Sequence, residues 1–169
     1  MKCGFRRAGY RRRVATRLRP MTDEEFAAWL PRVRTAYAGD MVSNGGAQPD
    51  EARAKADADI ERLFPGGAPS TEQLVYVIEA DGARVGELWL AAQDTPFRRV
   101  LWVYDVHVDE ARRGQGHARA AMTFAEDEAR RLGLGFVALN VFGGNDPARG
   151  LYRSLGYAEE AVYMTKKVE

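Results

Sequence analysis

The sequence has little cysteine and no long apolar run: of its 169 residues only Cys3 is a cysteine, and no apolar run exceeds five residues. A single cysteine cannot form an internal disulfide or a cysteine-based zinc cluster, which excludes a disulfide scaffold and a zinc finger. A membrane-spanning helix needs about 20 consecutive apolar residues, so neither such a helix nor a signal peptide is predicted. We therefore expect a soluble, cytoplasmic protein that is stabilised by packing alone.

Acidic residues are absent from the first 20 positions, which carry eight basic residues in a chain of net charge +1, so the remainder has a net charge of −7. A basic segment could contact nucleic acid or an anionic membrane. This one lacks an amphipathic face, and an acidic body would oppose nucleic acid. We predict a disordered basic extension over residues 1–12, a single domain over residues 13–169, and no nucleic-acid or membrane partner.

Hydrophobic spacing in the first half of the chain predicts a strand followed by two helices. Residues 14–19 alternate as a strand does, and Thr22 with Glu25 forms a capping box that opens an amphipathic helix. Pro31 lies inside this helical pattern and predicts a kink or a division into two helices. A second helix is expected from about Asp50 to Phe64.

From Leu74 onwards the hydrophobic period becomes that of strands. Two apolar runs on either side of Asp81-Gly82 predict a β-hairpin. The elements expected after it are a strand over 100–108, a helix over 118–132, a strand over 136–142, a short helix opened by Asp146-Pro147, and a last strand over 161–168. This order predicts a mixed α/β (α+β) fold with a mostly antiparallel central sheet flanked by helices on both faces.

A glycine-containing loop joins the strand that ends near Val108 to the following helix. Glycines lack a Cβ, so Gly114 and Gly116 allow an anion to approach the free N–H groups of the helix start, a common phosphate site. A plain tight turn with solvated arginines has the same pattern. A P-loop is excluded because no lysine is present in this loop. A dinucleotide fingerprint fails because Arg119 takes the third small position.

Two blocks of sequence resemble the GNAT N-acetyltransferase superfamily. Arg113-Gly-Gln-Gly116-His-Ala118 is similar to its Q/R-x-x-G-x-G/A motif. The segment from Asn145 through Tyr152 to Tyr157 is similar to its second block, N-x-x-A-x-x-L/x-Y-x-x-x-G-F, with Tyr157 in place of the usual Phe. Both blocks occur in the family's order, and the resemblance spans nearly the whole chain.

The resemblance implies a GNAT-like fold that uses acetyl-CoA as cosubstrate and acetylates a primary amine by direct attack in a ternary complex, without a metal. It also implies three groups of cofactor-binding residues. These are a pyrophosphate cradle (Arg113, Gly114, Gln115, Gly116, His117, Ala118 and Arg119), strand residues beside the pantetheine (Val106 and Val108), and Asn145. A helix cap is an equally good interpretation of Asn145.

Tyr152 matches the family's general acid. A phenol is protonated at pH 7 and can donate a proton to the leaving thiolate. A core tyrosine on a short amphipathic helix is the alternative, because Leu151 and Leu155 share its spacing.

The general base is harder to identify, because Asn140 stands where some relatives have a glutamate on the fifth strand. Asp105 is the candidate we favour, since a carboxylate inside an apolar strand is costly unless it is paired or functional. The alternative role of Asp105 is a structural hydrogen bond to a neighbouring loop. His107, Glu87 and a chain of waters remain alternative routes for the proton.

The departure at Asn140 leaves a second function open, a non-catalytic acyl-CoA-binding or regulatory module of the same fold. The acceptor amine and the oligomeric state, monomer or homodimer, also remain open. Side chains from the first helix and the loop after it are expected near the acceptor; these are Trp29, Tyr37, Met41 and Asn44.

Overall fold

The computed structural model describes residues 15–166 and Val168, which form one five-stranded sheet in the order β1-β2-β3-β4-β5. The strands are β1 (Thr16–Pro20), β2 (Gln73–Ala80), β3 (Ala83–Asp94), β4 (Arg99–Val108) and β5 (Val137–Leu139). Strands β1 to β4 pair antiparallel, and β5 pairs parallel to β4. The predicted mixed, mostly antiparallel sheet is confirmed. The predicted basic extension over residues 1–12 lies outside the described residues.

Four α-helices accompany the sheet in the described part of the chain, namely α1 (Asp23–Gly45), α2 (Pro49–Leu63), α3 (His117–Arg131) and α4 (Asp146–Ser154). The capping box predicted at Thr22 is present, because its hydroxyl accepts from the Glu25 N–H and the Glu25 carboxylate accepts from the Thr22 N–H. None of these helices is long and apolar enough to span a membrane.

The helices cover both faces of the sheet, as the composition of its two apolar clusters shows. Alternate side chains of a strand point to opposite faces, and β3 follows this rule. Leu88 and Leu90 pack with α3 on one face, whereas Trp89 packs with Trp29 and Phe64 beneath α1 and α2 on the other. Burial of these large side chains stabilises the fold by about 2 kcal/mol for each.

Pro31 does not divide the first helix, so the predicted division into two helices was wrong. Proline removes one backbone donor and leaves the carbonyl of residue i−4, here Ala27, without its helical partner. Ala27 and Pro31 are both exposed, so water can satisfy this carbonyl. Trp29, Leu30 and Val33 remain buried on the opposite side of the helix and hold it together across the proline.

The two strands predicted near the end of the chain differ from the observed structure. β5 has three residues instead of seven, because it pairs only with Leu101–Val103 of β4 before the two strands separate. The strand expected over 161–168 is not formed by the residues of that segment that the structure describes. Strand propensity alone was insufficient there, because a strand also needs a neighbour to which it can hydrogen-bond.

Candidate active site

The candidate site begins at an irregularity in β4. Trp89 of β3 is paired with Asp105, whereas the next β3 residue, Leu90, is paired with Val103, so Tyr104 is an extra residue in β4. Such a β-bulge re-aims the neighbouring side chains and is common beside active sites. The Tyr104 ring stacks on Trp89 with its centroid 4.6 Å away, which fixes the bulge against the core under α1 and α2.

Immediately after the bulge, β4 and β5 separate. Their last pair is Val103 with Leu139, but β4 continues to Val108. From Tyr104 to Val108 the β5 side of β4 therefore has no strand partner among the described residues. Val106 and Val108 lie along this cleft, where the family resemblance places them beside the pantetheine.

Helix α3 starts with an open N-terminus next to the cleft. Its N-cap, Gly116, has a φ of 91°, and no side chain caps the helix. The N–H groups of His117, Ala118 and Arg119 lack acceptors within the helix, as in any first turn. A Cβ placed on Gly114 or Gly116 would meet no atom within 4 Å, so the space in front of these amides is open. This geometry fits a pyrophosphate group.

Two side chains of the cradle have structural contacts that the sequence did not reveal. Arg113 Nε donates to the Val108 carbonyl at 3.0 Å, which fastens the loop to the end of β4. Arg119 donates to Ser154 Oγ at 2.6 Å and so links α3 to α4. Gln115 is exposed and makes only a long contact, 3.4 Å, with the Ala111 carbonyl.

The His117 imidazole lies beneath the cradle and is only 2% exposed. Its Nδ1 is 2.9 Å from Thr16 Oγ1, which joins the start of α3 to β1. Its Nε2 is buried and has no hydrogen-bond partner in the described part of the chain. Only the backbone of His117 can therefore face an anion at the helix start, while the ring orients the helix from below.

Asn145 acts as a helix cap, because its Oδ1 accepts from the Ala148 N–H at 3.2 Å. Capping interactions of this kind are worth about 1 kcal/mol. The structural interpretation of Asn145 is thus observed, and its contact with a cofactor stays a prediction.

Tyr152 lies on α4, partly buried against the cluster beneath α3, with its ring 5.8 Å from that of Tyr157. No side chain of the described residues hydrogen-bonds to its hydroxyl. Burial raises the pKa of Tyr152, and the nearby Asp105 carboxylate raises it further. The phenol therefore keeps its proton at neutral pH and has a hydroxyl that is available to a ligand.

Asp105 is partly buried on β4, opposite Trp89 of β3. The pKa of Asp105 is raised to about 6, mainly by burial. The nearby Glu87 and Asp40 also raise it, whereas His107 and the Val106 N–H lower it. A carboxyl group with this pKa is mostly ionised at pH 7 and still accepts a proton readily. The structural alternative required a hydrogen bond between Asp105 and a neighbouring loop. Among the described residues, no side chain from such a loop makes this bond.

The other two candidate bases are engaged elsewhere. Glu87 is buried and ion-paired with Arg84, and Arg32 of α1 lies 3.8 Å from its second oxygen. His107 Nε2 lies 3.7 Å from Asp109. Because both Glu87 oxygens face guanidinium groups, we favour Asp105 as the base.

Two of the four expected acceptor-site residues have structural roles in the described fold. Trp29 is buried in the cluster beneath α1 and α2, so its expected position at the acceptor was wrong. The Tyr37 hydroxyl donates to Asp59 of α2 at 3.1 Å. Met41 and Asn44 lie near the end of α1 and are at least partly exposed.

Replacing Asp105 with asparagine should stabilise the protein above pH 6. Burial raises the native pKa from 3.8 to about 6, so ionisation costs native stability as the pH rises through this interval, by at most about 3 kcal/mol. Asparagine stays neutral and avoids this cost. In thermal unfolding, Tm of D105N minus Tm of the wild type should grow between pH 4 and 6 and then level off. A difference that does not depend on pH would contradict the burial of an ionisable Asp105.

The sequence matches the model of the family described as "Acetyltransferase (GNAT) family" over residues 33–157. It is 33% identical over 156 residues to "Uncharacterized N-acetyltransferase YdgE" of Bacillus subtilis (strain 168), covering 92% of this chain and 99% of that protein.

Solved structures show the same similarity. The crystal structure of YycN from Bacillus subtilis superimposes with a TM-score of 0.81 at 29% identity, covering 92% of this chain and 99% of that one. AAC(6')-Iy in complex with the bisubstrate analog CoA-S-monomethyl-acetylneamine superimposes with a TM-score of 0.57 at 15% identity, covering 91% and 99% of the two chains. At this identity the second similarity shows the fold alone.

Proposed function

Because the chain belongs to the GNAT acetyltransferase family, we propose that it transfers the acetyl group of acetyl-CoA directly to a primary amine within a ternary complex. The observation that carries the proposal is the pairing of two groups with opposite protonation states at neutral pH. Tyr152 is protonated, Asp105 is mostly ionised, and the two are close enough for the carboxylate to raise the pKa of the phenol.

The described residues fit acetyl-CoA, which supplies the activated thioester. The N–H groups of His117, Ala118 and Arg119 would bind its pyrophosphate, and Gly114 and Gly116 would let the phosphates approach the backbone. The unpaired edge of β4 at Val106 would hydrogen-bond to the pantetheine. At Val108 the carbonyl already accepts from Arg113, so Val108 contributes mainly by holding the cradle in place.

Asp105 would act as the general base. A lysine-like amine with a pKa of about 10.4 is almost entirely protonated at pH 7 and cannot attack a carbonyl until it loses its proton. Asp105 would accept that proton before the neutral amine attacks, and would then release it to solvent. Because its pKa of about 6 lies just below neutral pH, the carboxylate is in the ionised state that this step requires.

Tyr152 would act as the general acid at the other side of the reacting carbonyl. Its hydroxyl would donate a proton to the sulfur as the carbon–sulfur bond breaks, so that CoA leaves as a neutral thiol. The tyrosine would then recover a proton from solvent. The attached nitrogen gives up its second proton to solvent as the amide forms. The net reaction converts the ammonium and acetyl-CoA into the amide, CoA and one proton, without any redox partner.

The pH dependence of the rate tests the role of Asp105. The wild-type kcat/KM should rise with pH through about 6, as Asp105 ionises. D105N should lose this inflection, show its largest rate deficit near neutral pH, and recover as higher pH deprotonates the amine without help. A rate loss that is the same at every pH would make Asp105 an anchor for the amine or a structural group, and the base would have to be sought elsewhere.

A non-catalytic acyl-CoA-binding module is the alternative function. Asn140 lies exposed just after β5 and cannot replace a glutamate as a base. Such a module would bind acetyl-CoA in the same cradle but would release no CoA with any amine.

A further inference from the structure

His117 is the first residue of α3, and its backbone and side chain face different surroundings. Its N–H is one of the free amides of the cradle, whereas its imidazole is only 2% exposed. The ring nitrogen Nε2 is buried without a hydrogen-bond partner in the described residues. A buried ring with an unpartnered nitrogen is costlier than an apolar side chain of the same size. Packing alone therefore does not explain a histidine at this position.

The start of α3 has no side-chain cap, because its N-cap residue is Gly116. A serine or aspartate at the N-cap would hold the first turn by accepting from the N–H of Ala118 or Arg119. Such a cap would occupy the amides that a pyrophosphate group needs. A helix start that binds an anion is therefore best held from a side that leaves its amides free.

The His117 imidazole provides an anchor of this kind. His117 Nδ1 and Thr16 Oγ1 lie 2.9 Å apart and share a hydrogen bond. Thr16 is the first residue of β1 and is paired with Ala80 of β2, so this bond ties the start of the helix to the sheet. Because a hydrogen bond is directional, it fixes the rotation of the first turn as well as its distance from β1.

The other side-chain contacts of the first turn are weaker. His117 is the only fully buried residue among positions 117–120, and the buried side chains of the helix from Ala121 onwards are apolar. Arg119 donates to Ser154 Oγ, but both residues are exposed. The ends of helices fray readily, so the order of this turn depends mainly on the His117 ring.

We propose that His117 and Thr16 are positioning residues for acetyl-CoA. The Thr16 hydroxyl holds the His117 ring, and the ring holds the first turn of α3 in the orientation that the pyrophosphate binds. Neither side chain contacts the cofactor. Preorganised groups bind more tightly because less ordering is needed on binding. This inference rests on the proposed binding of acetyl-CoA in the cradle, and it concerns the affinity for the cofactor rather than the chemical step.

Calorimetric titration of acetyl-CoA into Thr16→Val tests the proposal. Valine has nearly the shape of threonine but lacks the hydroxyl, and Thr16 is only partly buried at the start of an edge strand, so the variant should fold. We expect Kd to rise about five- to tenfold, as for the loss of one hydrogen bond, and kcat at saturating acetyl-CoA to stay unchanged. Thr16→Ser, the matched control, keeps the hydroxyl and should keep the wild-type Kd. A wild-type Kd in Thr16→Val, even with a lower Tm, would make the bond merely structural and overturn the proposal.

Hydrogen exchange in the free protein tests the same anchor without the cofactor. The Ala120 N–H donates to the Gly116 carbonyl at 3.0 Å, and this bond breaks when the first turn opens. Measured by NMR, the Ala120 N–H should exchange at least about fivefold faster in Thr16→Val than in the wild type. The N–H of Ala125, in the middle of α3, should exchange at the wild-type rate. Equal exchange rates at Ala120 in the two proteins would overturn the proposal.

The binding measurement also separates this inference from the proposed function. If the wild type does not bind acetyl-CoA, the proposed function and this inference both fail. If the wild type binds acetyl-CoA and Thr16→Val binds it equally well, only this inference fails. The result we expect is a wild type that binds acetyl-CoA, a weaker Thr16→Val, and a Thr16→Ser that matches the wild type.

Discussion

Replacing Tyr152 with phenylalanine should lower kcat about 100-fold while acetyl-CoA still binds with wild-type affinity. The substitution keeps the aromatic ring and its packing against the cluster beneath α3 and removes only the hydroxyl proton. Loss of a general acid usually costs a factor of 10² to 10⁴, or about 3 kcal/mol at the lower limit. Steady-state kinetics with a reactive amine, together with calorimetric titration of acetyl-CoA, would measure the two quantities separately.

Tyr157 provides a matched control for this experiment. Its ring lies 5.8 Å from that of Tyr152, but its hydroxyl is buried without a hydrogen-bond partner in the described residues. Tyr157→Phe should therefore keep kcat and should maintain or raise thermal stability. An acyl donor with a better leaving thiol should also reduce the deficit of Y152F. If Y152F loses stability but keeps kcat, Tyr152 is a core residue and not the general acid.

Replacing Gly116 with valine should weaken acetyl-CoA binding at least about tenfold, or 1.4 kcal/mol. The φ of 91° at this residue is unfavourable for a β-branched side chain. No protein atom lies within 4 Å of the added Cβ, so the new side chain projects into the space where the pyrophosphate must bind. Calorimetry with acetyl-CoA would measure the loss.

Backbone strain alone would lower stability at Gly116, so the matched control is a strained glycine outside the cradle. Gly133 has a φ of 71° and an equally open surrounding, and it follows the opposite end of α3, about 22 Å away. Gly133→Val should lower Tm by a similar amount and leave acetyl-CoA affinity unchanged. Equal acetyl-CoA affinities for G116V and the wild type would remove the main support for the cradle.

Local sequence signals predicted much of the fold. The capping box at Thr22 and the Asp81-Gly82 turn depend on a few adjacent residues, and both were confirmed. Asp81 and Gly82 have φ values of 52° and 76°, as a type I′ turn requires. The ends of β5 depend on contacts with β4, a distant segment of the chain, and the sequence did not determine them.

In the candidate site, too, the sequence revealed some features, whereas others depend on contacts between distant segments. Asp105 could be found from the sequence, because a carboxylate interrupts an apolar strand there. The extra residue at Tyr104 left no sequence signal, since a bulge depends on the register with β3. The groups that raise the pKa of Asp105, namely Glu87 and Asp40, come from β3 and α1. The link between His117 and Thr16 spans 101 positions and could be identified only in the folded chain.

The most direct test of acetyl transfer is the release of CoA from acetyl-CoA, measured with a thiol reagent against a panel of primary amines. The panel should include protein N-termini, lysine peptides, polyamines, amino-sugar antibiotics and small metabolite amines, and acetyl-CoA binding should be measured in parallel. At least one amine should accelerate CoA release and gain a single acetyl group on nitrogen, as identified by mass spectrometry. Tight acetyl-CoA binding without release in the presence of any amine would contradict catalysis and favour the acyl-CoA-binding module.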